Sequence, residues 1–205
     1  MKRKAMKSTA RPESGRILVI NGHPDKESYC AALAEAYREG AAYAGKDCGL
    51  VHLSDVHFDP VLHHGNRVIQ ELEPDLKSLQ AQIKRARHLV LVYPVWWATF
   101  PALLKGLFDR AFLPGQMFKF REDKLLWERY MKGRSARCIV TMNTPPLLYR
   151  LFIKRPGDHA VNRGVLRFVG YRPVRFTHLG SVKRSDLKKR RHWLQKVRRL
   201  GVKGK

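Results

Sequence analysis

Short apolar runs alternate with longer amphipathic segments along this chain. The apolar runs are rich in β-branched residues and are predicted to be buried strands at residues 16–21, 50–53, 88–93, 137–142 and 173–179. The amphipathic segments are predicted to be helices at residues 28–44, 67–87, 100–112, 159–169 and 185–200. Because strands that alternate with helices favour a parallel sheet covered on both faces, the chain is assigned to the α/β class.

Helix ends and connecting segments can also be predicted from the sequence. Ser28 is a suitable N-cap for the first helix, and Pro74 should kink or split the helix at residues 67–87. Residues 113–135 are predicted to form an irregular aromatic and basic excursion, and residues 143–156 a long loop. Ligands of open α/β sheets bind outside the carboxyl ends of the strands, so the loops that leave those ends are the candidates for a site.

Size and composition are those of one globular domain of 205 residues. The three cysteines, Cys30, Cys48 and Cys138, are far apart in sequence and form no CxxC pair, so we expect reduced thiols and a cytoplasmic location. No apolar run approaches the roughly 20 residues that cross a bilayer, which predicts no transmembrane segment. The basic start of the chain lacks the apolar core of a secretory signal.

The charge of the chain is strongly positive, with a formal net value of +24, but it is uneven. Residues 1–16 and 183–205 together hold 17 basic and 2 acidic side chains. We therefore divide the chain into a basic flexible tail at residues 1–15, a folded domain at 16–200 and a basic end at 201–205. Such tails predict at most a weak contact with anionic surfaces.

The last predicted helix combines an apolar stripe with many cations. The stripe recurs at helical spacing and consists of Leu187, Trp193, Leu194, Val197 and Leu200. The first interpretation is that this stripe packs on the sheet and the cations face water. The alternative is a surface that contacts nucleic acid or anionic lipid.

The loop after the first strand, residues 21–28, leads into a helix N-terminus and offers His23, Lys26 and Ser28 as donors. Backbone amides and the helix dipole make such a place suitable for an anion. The loop is neither a GxGxxG motif nor a P-loop, so an ordinary capped turn is the competing interpretation.

Two further loops leave strand ends. Residues 94–98 carry Trp96 and Trp97 between prolines and would form a flat apolar wall for a planar aromatic ligand such as a flavin, unless both rings are core residues. Residues 141–149 end in Tyr149, whose ring we expect to reach a bound ligand. All three loops should meet at one crevice.

These motifs together resemble one family. The Gly22-His23-Pro24 turn with Ser28, the Pro-x-Trp-Trp loop that runs into residues 101–110, and Gly115-Gln116-Met117-Phe118 are similar to the NAD(P)H:quinone oxidoreductases, which include DT-diaphorase and bacterial relatives. The resemblance implies a flavodoxin-like fold, a doubly wound five-stranded parallel sheet in the order 2-1-3-4-5 with helices on both faces. It also implies bound FMN or FAD, NAD(P)H as co-substrate, and two-electron ping-pong reduction of a quinone or similar acceptor by a homodimer.

The same resemblance assigns residues. The flavin-binding positions lie in the three loops and are His23, Ser28, Tyr29, Pro94, Val95, Trp96, Trp97, Thr141, Asn143 and Thr144. Tyr149 and His159 are the candidate catalytic residues, and Lys26, Arg121 and Arg150 are expected to attract the phosphates of the nucleotide. The chain departs from the family where Cys30 replaces an asparagine, and where Thr-Met-Asn-Thr-Pro-Pro replaces a glycine-rich third loop.

Other signals are weaker. His57, Asp59, His63 and His64 lie close in sequence without a metal-ligand spacing, so a surface loop and no metal site is predicted. Residues 133–137 lack the second glycine of a nucleophile elbow. Two alternatives to the enzyme remain: a regulatory flavoprotein subunit of a membrane transporter, and a basic nucleic-acid-binding protein with the same fold.

Overall fold

A computed structural model describes residues 15–65, 67–121 and 126–205, so the predicted tail, apart from Gly15, lies outside the described residues. The strands are β1 (Ile17–Asn21), β2 (Cys48–His52), β3 (His88–Pro94), β4 (Phe118–Lys119), β5 (Glu128–Arg129), β6 (Ser135–Thr141) and β7 (Val174–Leu179). Five of them form one parallel sheet in the order β2-β1-β3-β6-β7, while β4 and β5 pair as a small separate ribbon. In chain order this is 2-1-3-4-5, so the predicted fold is confirmed.

The helices are α1 (Tyr29–Tyr43), α2 (Pro74–Arg85), α3 (Ala102–Ala111), α4 (Pro146–Leu151), α5 (Pro156–His159), α6 (Arg167–Val169) and α7 (Leu187–Lys203). A π-helical stretch, Ala160–Leu166, joins α5 to α6. Two apolar cores lie against the sheet, one under α1 and α7 and the other under α2, α3 and the helices after α4. Strands β1 and β3 are buried along their whole length because both cores cover them.

Three prolines that resemble helix breakers in the sequence instead open helices. Pro74, Pro146 and Pro156 each occupy the first turn of a helix. There the missing N–H would have had no intrahelical partner, and the fixed φ already suits the helix. The kinked helix predicted at residues 67–87 is therefore wrong, since α2 begins at Pro74. The loop predicted at 143–156 is also wrong, because it contains α4.

The excursion after α3 turns some of its aromatic side chains inward and leaves others exposed. Phe112, Met117 and Phe118 are buried, and Trp127 stacks on Phe168 with 4.3 Å between ring centroids. Phe120 remains exposed. The ribbon of β4 and β5 thus packs against α6, at the edge of the core that lies under α2 and α3.

Helices α1 and α7 run side by side with their backbones in contact. A Cβ atom on Gly201 would lie 2.0 Å from the carbonyl oxygen of Tyr37, and one on Gly40 would lie 2.0 Å from the carbonyl oxygen of Arg198. Trp193 and Val197 are buried beside these contacts, as the apolar stripe predicts. Leu187, which was expected in that stripe, is exposed, and the helix extends to Lys203.

We predict that Gly201→Ala lowers the free energy of unfolding by about 1–3 kcal/mol, since the added methyl group must push two backbones apart. Urea denaturation of the purified protein measures this. The control is Gly164→Ala, where a Cβ meets nothing within 4 Å. An unchanged Gly201→Ala midpoint would contradict the close packing.

Candidate functional site

The loops that follow β1, β3 and β6 meet at the carboxyl edge of the sheet. The amide of Gly22 donates to the carbonyl of Val92 at 2.8 Å, and the amide of Val95 donates to the carbonyl of Thr141 at 2.7 Å. These bonds continue the strand pairing past the strand ends. The three predicted loops therefore form one crevice.

The first loop is built by hydrogen bonds between neighbours. The buried side chain of Asn21 accepts from the amide of His23 at 3.2 Å, and the Nδ1 atom of His23 accepts from the amide of Asp25 at 2.9 Å. Because Nδ1 is an acceptor, the neutral ring carries its proton on Nε2. The same ring lies edge-on to Trp96, with 5.4 Å between centroids. His23 thus connects the first loop to the second.

At the start of α1, the hydroxyl groups of Ser28 and Tyr29 contact different parts of the molecule. The hydroxyl of Ser28 caps the helix by accepting from the amide of Ala31 at 3.3 Å. The hydroxyl of Tyr29 donates to the carbonyl of Arg190 at 2.9 Å, so it is directed at α7. The amide of Ala31 is engaged by this cap, whereas the amides of Tyr29 and Cys30 have no acceptor among the described residues and are available to an anion. A flavin contact of Ser28 or Tyr29 stays a prediction.

Cys30 and Thr141 join the first loop to the third. The Sγ atom of Cys30 lies 3.2 Å from the Oγ1 atom of Thr141, and both residues are buried. Burial raises the pKa of the Cys30 thiol to about 11, so it stays protonated and unreactive near neutral pH. Thr141 therefore contributes its carbonyl and hydroxyl to the framework of the crevice.

The second loop is a two-residue turn of unusual composition. Trp96 and Thr99 exchange two backbone hydrogen bonds, of 3.2 and 2.9 Å, and the residues between them have φ of 50° at Trp97 and 61° at Ala98. This is the φ pattern of a type I′ turn, which normally takes glycine or asparagine. Left-handed backbone costs a residue with a Cβ atom roughly 1–2 kcal/mol. The side chain that this turn presents, Trp97, is 99% exposed.

The turn is held from the third loop. The carbonyl of Ala98 accepts two hydrogen bonds, one from the amide of Gly157 at 3.1 Å and one from the hydroxyl of Tyr149 at 3.2 Å. Any side chain at position 157 would collide with Ala98, since its Cβ would lie 2.8 Å from that oxygen. Burial, with the carboxylate of Asp158, raises the pKa of Tyr149 to about 12, so its hydroxyl remains a donor.

Tyr149 is only 1% exposed, and its contacts make it a positioning residue for the Trp97 turn. The other candidate catalytic residue, His159, is exposed on the surface of the helix. The histidine beside Tyr149 is instead His178 of β7, with 6.1 Å between ring centroids. The Nε2 atom of His178 lies 2.8 Å from Oδ2 of the buried Asp158. The sequence offered no signal for His178, because only the sheet brings it to Tyr149.

The rest of the third loop contacts the turn between β7 and α7. The Oδ1 atom of Asn143 accepts from the amide of Lys183 at 3.1 Å, and Thr144 is half-buried. Of the cations expected at the crevice, Lys26 pairs with Asp55 at 3.2 Å and Arg121 pairs with Glu128 at 3.1 Å. Arg150 is exposed on α4.

The histidine-rich loop holds its shape through carboxylates. His57 pairs with Asp75 at 3.1 Å, His63 pairs with Asp59, and the buried Arg110 of α3 binds Glu73 at 3.0 Å. Among residues 15–65, 67–121 and 126–205, no three His, Cys, Asp or Glu side chains are grouped closely enough to hold a metal ion. In the same ranges, no helix has the length and apolarity needed to span a membrane.

Comparison with known proteins agrees with this geometry. A family model described as flavodoxin-like fold matches residues 15–200. The chain belongs to the flavodoxin-like fold family. It is 26% identical to an uncharacterized NAD(P)H oxidoreductase of Haemophilus influenzae over 186 residues, which cover 87% of this chain and 90% of that protein.

Two solved structures illustrate the similarity of fold. The NAD(P)H:quinone oxidoreductase of Methanothermobacter marburgensis has a TM-score of 0.76 and 25% identity, covering 93% of this chain and 98% of its own. The fold is also shared by an FMN-dependent NADH-azoreductase of Bacillus anthracis, solved in complex with FMN, at a TM-score of 0.70 and 18% identity over 92% and 98% of the two chains. The resemblance to the NAD(P)H:quinone oxidoreductases is confirmed, and the expected class, an NAD(P)H dehydrogenase (quinone)-like flavoprotein, is that of these relatives.

The crevice suits the flavin that this family implies. Its donor set combines a helix N-terminus for a phosphate with the backbone amides of Trp97 and Ala98, which take no part in the two hydrogen bonds that close the turn. The exposed indole of Trp97 supplies an apolar wall. Pro94 and Val95 lead directly into that wall at the end of β3.

We predict that Tyr149→Phe weakens FMN binding several-fold and lowers the free energy of unfolding by about 1 kcal/mol, because Ala98 loses one of its two donors. Fluorescence titration with FMN and thermal unfolding measure the two effects. The matched control is Tyr171→Phe, since the Tyr171 hydroxyl is buried without a hydrogen-bond partner among the described residues. Equal effects of both variants would show that Ala98 does not depend on Tyr149.

Proposed function

We propose that this protein is an FMN-dependent NAD(P)H oxidoreductase that reduces quinone-like acceptors by two electrons in a ping-pong cycle. The observation that carries the proposal is the Trp97 turn, a strained backbone that presents a large apolar ring to solvent at the carboxyl edge of the sheet. Strain of this kind persists only where surrounding contacts hold it, and it is concentrated at functional sites. Here the holding contacts are those made to the carbonyl of Ala98.

The chain's own residues have distinct roles in this proposal. The first turn of α1, with the Ser28 cap, binds the phosphate of FMN through its amides. The amides of Trp97 and Ala98 bind the polar edge of the ring system, and the Trp97 indole covers its apolar part. Asn143 and Thr144 close the crevice from the third loop. FMN, when bound, would supply the redox chemistry for hydride transfer from NAD(P)H to the acceptor.

The proposal assigns Tyr149 a positioning role, because its proton is engaged by Ala98. Direct contact of Tyr149 or His159 with substrate remains a prediction. FMN is preferred over FAD since the related azoreductase of B. anthracis was solved with FMN. Bound FMN would carry one phosphate to the start of α1, where the capped helix offers one set of free amides.

The test is the purified protein itself. We expect flavin absorbance between about 350 and 480 nm, release of FMN on denaturation, and parallel double-reciprocal lines when NAD(P)H and a benzoquinone are varied. Parallel lines follow because one crevice must accept donor and acceptor in turn. Protein that neither retains FMN nor turns over after reconstitution would refute the function.

Trp97→Ala locates the site in that experiment. Because Trp97 is fully exposed, its loss should weaken FMN retention and leave the melting temperature unchanged. The control is Tyr43→Ala, which removes another exposed aromatic ring, 78% accessible, at the far end of α1. Wild-type FMN affinity in Trp97→Ala would place the flavin elsewhere.

We also propose that the enzyme is a homodimer whose interface lies beside the crevice. Exposed apolar side chains are concentrated on and just after α4, a few residues before the Gly157 contact: Leu147, Leu148, Leu151, Phe152 and Ile153. Large exposed apolar patches on soluble proteins are usually interfaces. The excursion after α3 adds the exposed side chains of Phe120 and Leu126.

Sedimentation at micromolar concentration should therefore give twice the chain mass of 23.7 kDa. The double variant Leu151→Glu with Phe152→Glu should sediment as a monomer, because it places two carboxylates in an apolar contact. Lys77→Glu with Arg85→Glu, on the exposed side of α2, is the control. A wild-type monomer that reduces quinones would rule out the dimer.

A further inference from the structure

The positive charge of this protein is concentrated at its carboxyl-terminal end. Residues 159–205 contain 15 Lys and Arg but one acidic residue, Asp186, a surplus of 14 within the net +24 of the whole chain. Asp186 is occupied as the N-cap of α7, where it accepts from the amide of Lys189 at 2.7 Å. No other acidic side chain lies within this segment.

Helix α7 displays these cations along its whole length. Its exposed cations, here called the basic face, are Lys188, Lys189, Arg191, Lys196, Arg198, Arg199 and Lys203. Across the described ranges, none of them forms a salt bridge with an acidic side chain. Like charges spaced three or four residues apart destabilise a helix, so this arrangement has a cost that folding does not require.

The direction of the basic face is set by the packing of α7. Gly201 and Gly40 bring the backbones of α7 and α1 together, and Trp193 and Val197 are buried between them and the sheet. The spacing of Lys188, Arg191 and Arg199 places these three on the opposite side, toward solvent. The basic face extends over about 25 Å, the length of a 17-residue helix.

Further cations continue this surface at both ends of the helix. Lys183 and Arg184 are exposed in the turn before α7. At the other end, the side chain of Lys46 packs beside Gly204. The flavin crevice opens at the carboxyl edge of the sheet, whereas the basic face runs along the side of the molecule that α1 and α7 cover.

The basic face fits a polyanion as its partner. The number of exposed apolar residues on α7 distinguishes two such partners, an anionic membrane and a nucleic acid. An amphipathic helix that binds a membrane inserts its apolar side chains between the lipids. In α7 the apolar stripe is already buried against α1 and the sheet, and the exposed apolar residues Leu187 and Val202 lie only near its two ends. A phosphodiester backbone requires cations and no apolar insertion.

We propose that the basic face of α7 binds the phosphate backbone of nucleic acid, without base specificity and independently of the flavin crevice. The phosphates of one duplex face would follow the helix, each neutralised by a Lys or Arg side chain. Affinity then comes mainly from release of counterions, so it must fall steeply with salt.

The experiment measures binding of the full-length protein to a fluorescein-labelled duplex of mixed sequence by anisotropy, from low to physiological salt. The test variant combines Lys188→Gln, Arg191→Gln and Arg199→Gln, and glutamine retains similar helix propensity. We expect its affinity to fall at least about tenfold and the slope of log K against log salt to become shallower by roughly two to three, about one for each lost contact.

The control variant removes the same charge from the opposite side of the sheet, through Lys77→Gln, Arg85→Gln and Lys119→Gln. It should lose much less affinity, and both variants should keep the FMN content of the wild type and melt at no lower temperature. Equal losses in the two variants would overturn the proposal, because net charge alone would then explain binding. Absence of duplex binding by the wild type at low salt would overturn it as well.

Two measurements on the wild-type protein complete the test. Bound duplex should protect Lys188 and Lys196 from chemical acetylation and leave Lys77 reactive, which locates the contact without any substitution. The second measurement is binding of the protein to vesicles that contain phosphatidylserine. Binding to these vesicles through α7, with no binding to the duplex, would refute the nucleic-acid partner.

Discussion

The carbonyl oxygen of Ala98 holds the crevice together. It accepts from the amide of Gly157 and from the hydroxyl of Tyr149, and so ties the loop after β3 to the segment after β6. Without these donors, two residues with Cβ atoms would have no compensation for their left-handed backbone. The exposed indole of Trp97 depends on that turn for its position. Flavin binding, and through it the proposed oxidoreductase activity, therefore depends on the two hydrogen bonds that Gly157 and Tyr149 donate to this backbone carbonyl.

The parallel sheet separates the two surfaces to which we assign functions. Its carboxyl edge collects the loops of the crevice and the apolar side chains of α4, where we place flavin and the second subunit. The face covered by α1 and α7 instead presents cations along a single helix. Because α7 is fixed by backbone contact at Gly40 and Gly201, its charged side cannot rotate inward. The same close packing that completes the core thus exposes the charge.

Several side chains predicted at the site form hydrogen bonds that connect the loops to one another or to α7. Cys30 and Thr141 join two loops through their own hydrogen bond, and the hydroxyl of Tyr29 reaches α7. Replacement of an asparagine by Cys30 therefore leaves the loops connected by a buried thiol. A third loop without paired glycines is accommodated because Pro146 starts α4 and because Gly157 supplies the close approach to Ala98.

The sequence by itself determined the α/β class and the three loops of the site, because apolar periodicity and strand-end motifs are local properties. The order of the five sheet strands followed from the resemblance to the NAD(P)H:quinone oxidoreductases, since strand order is not a local property. It also determined that α7 has an apolar stripe and a charged side. Helix starts at Pro74, Pro146 and Pro156 were not predictable from local pattern, since a proline opens or breaks a helix according to where the preceding chain is held. Only the tertiary structure decided that Tyr149 supports the Trp97 turn and that its neighbour is His178 and not His159. These pairs are brought together by strand order across the sheet, so no spacing along the chain encodes them.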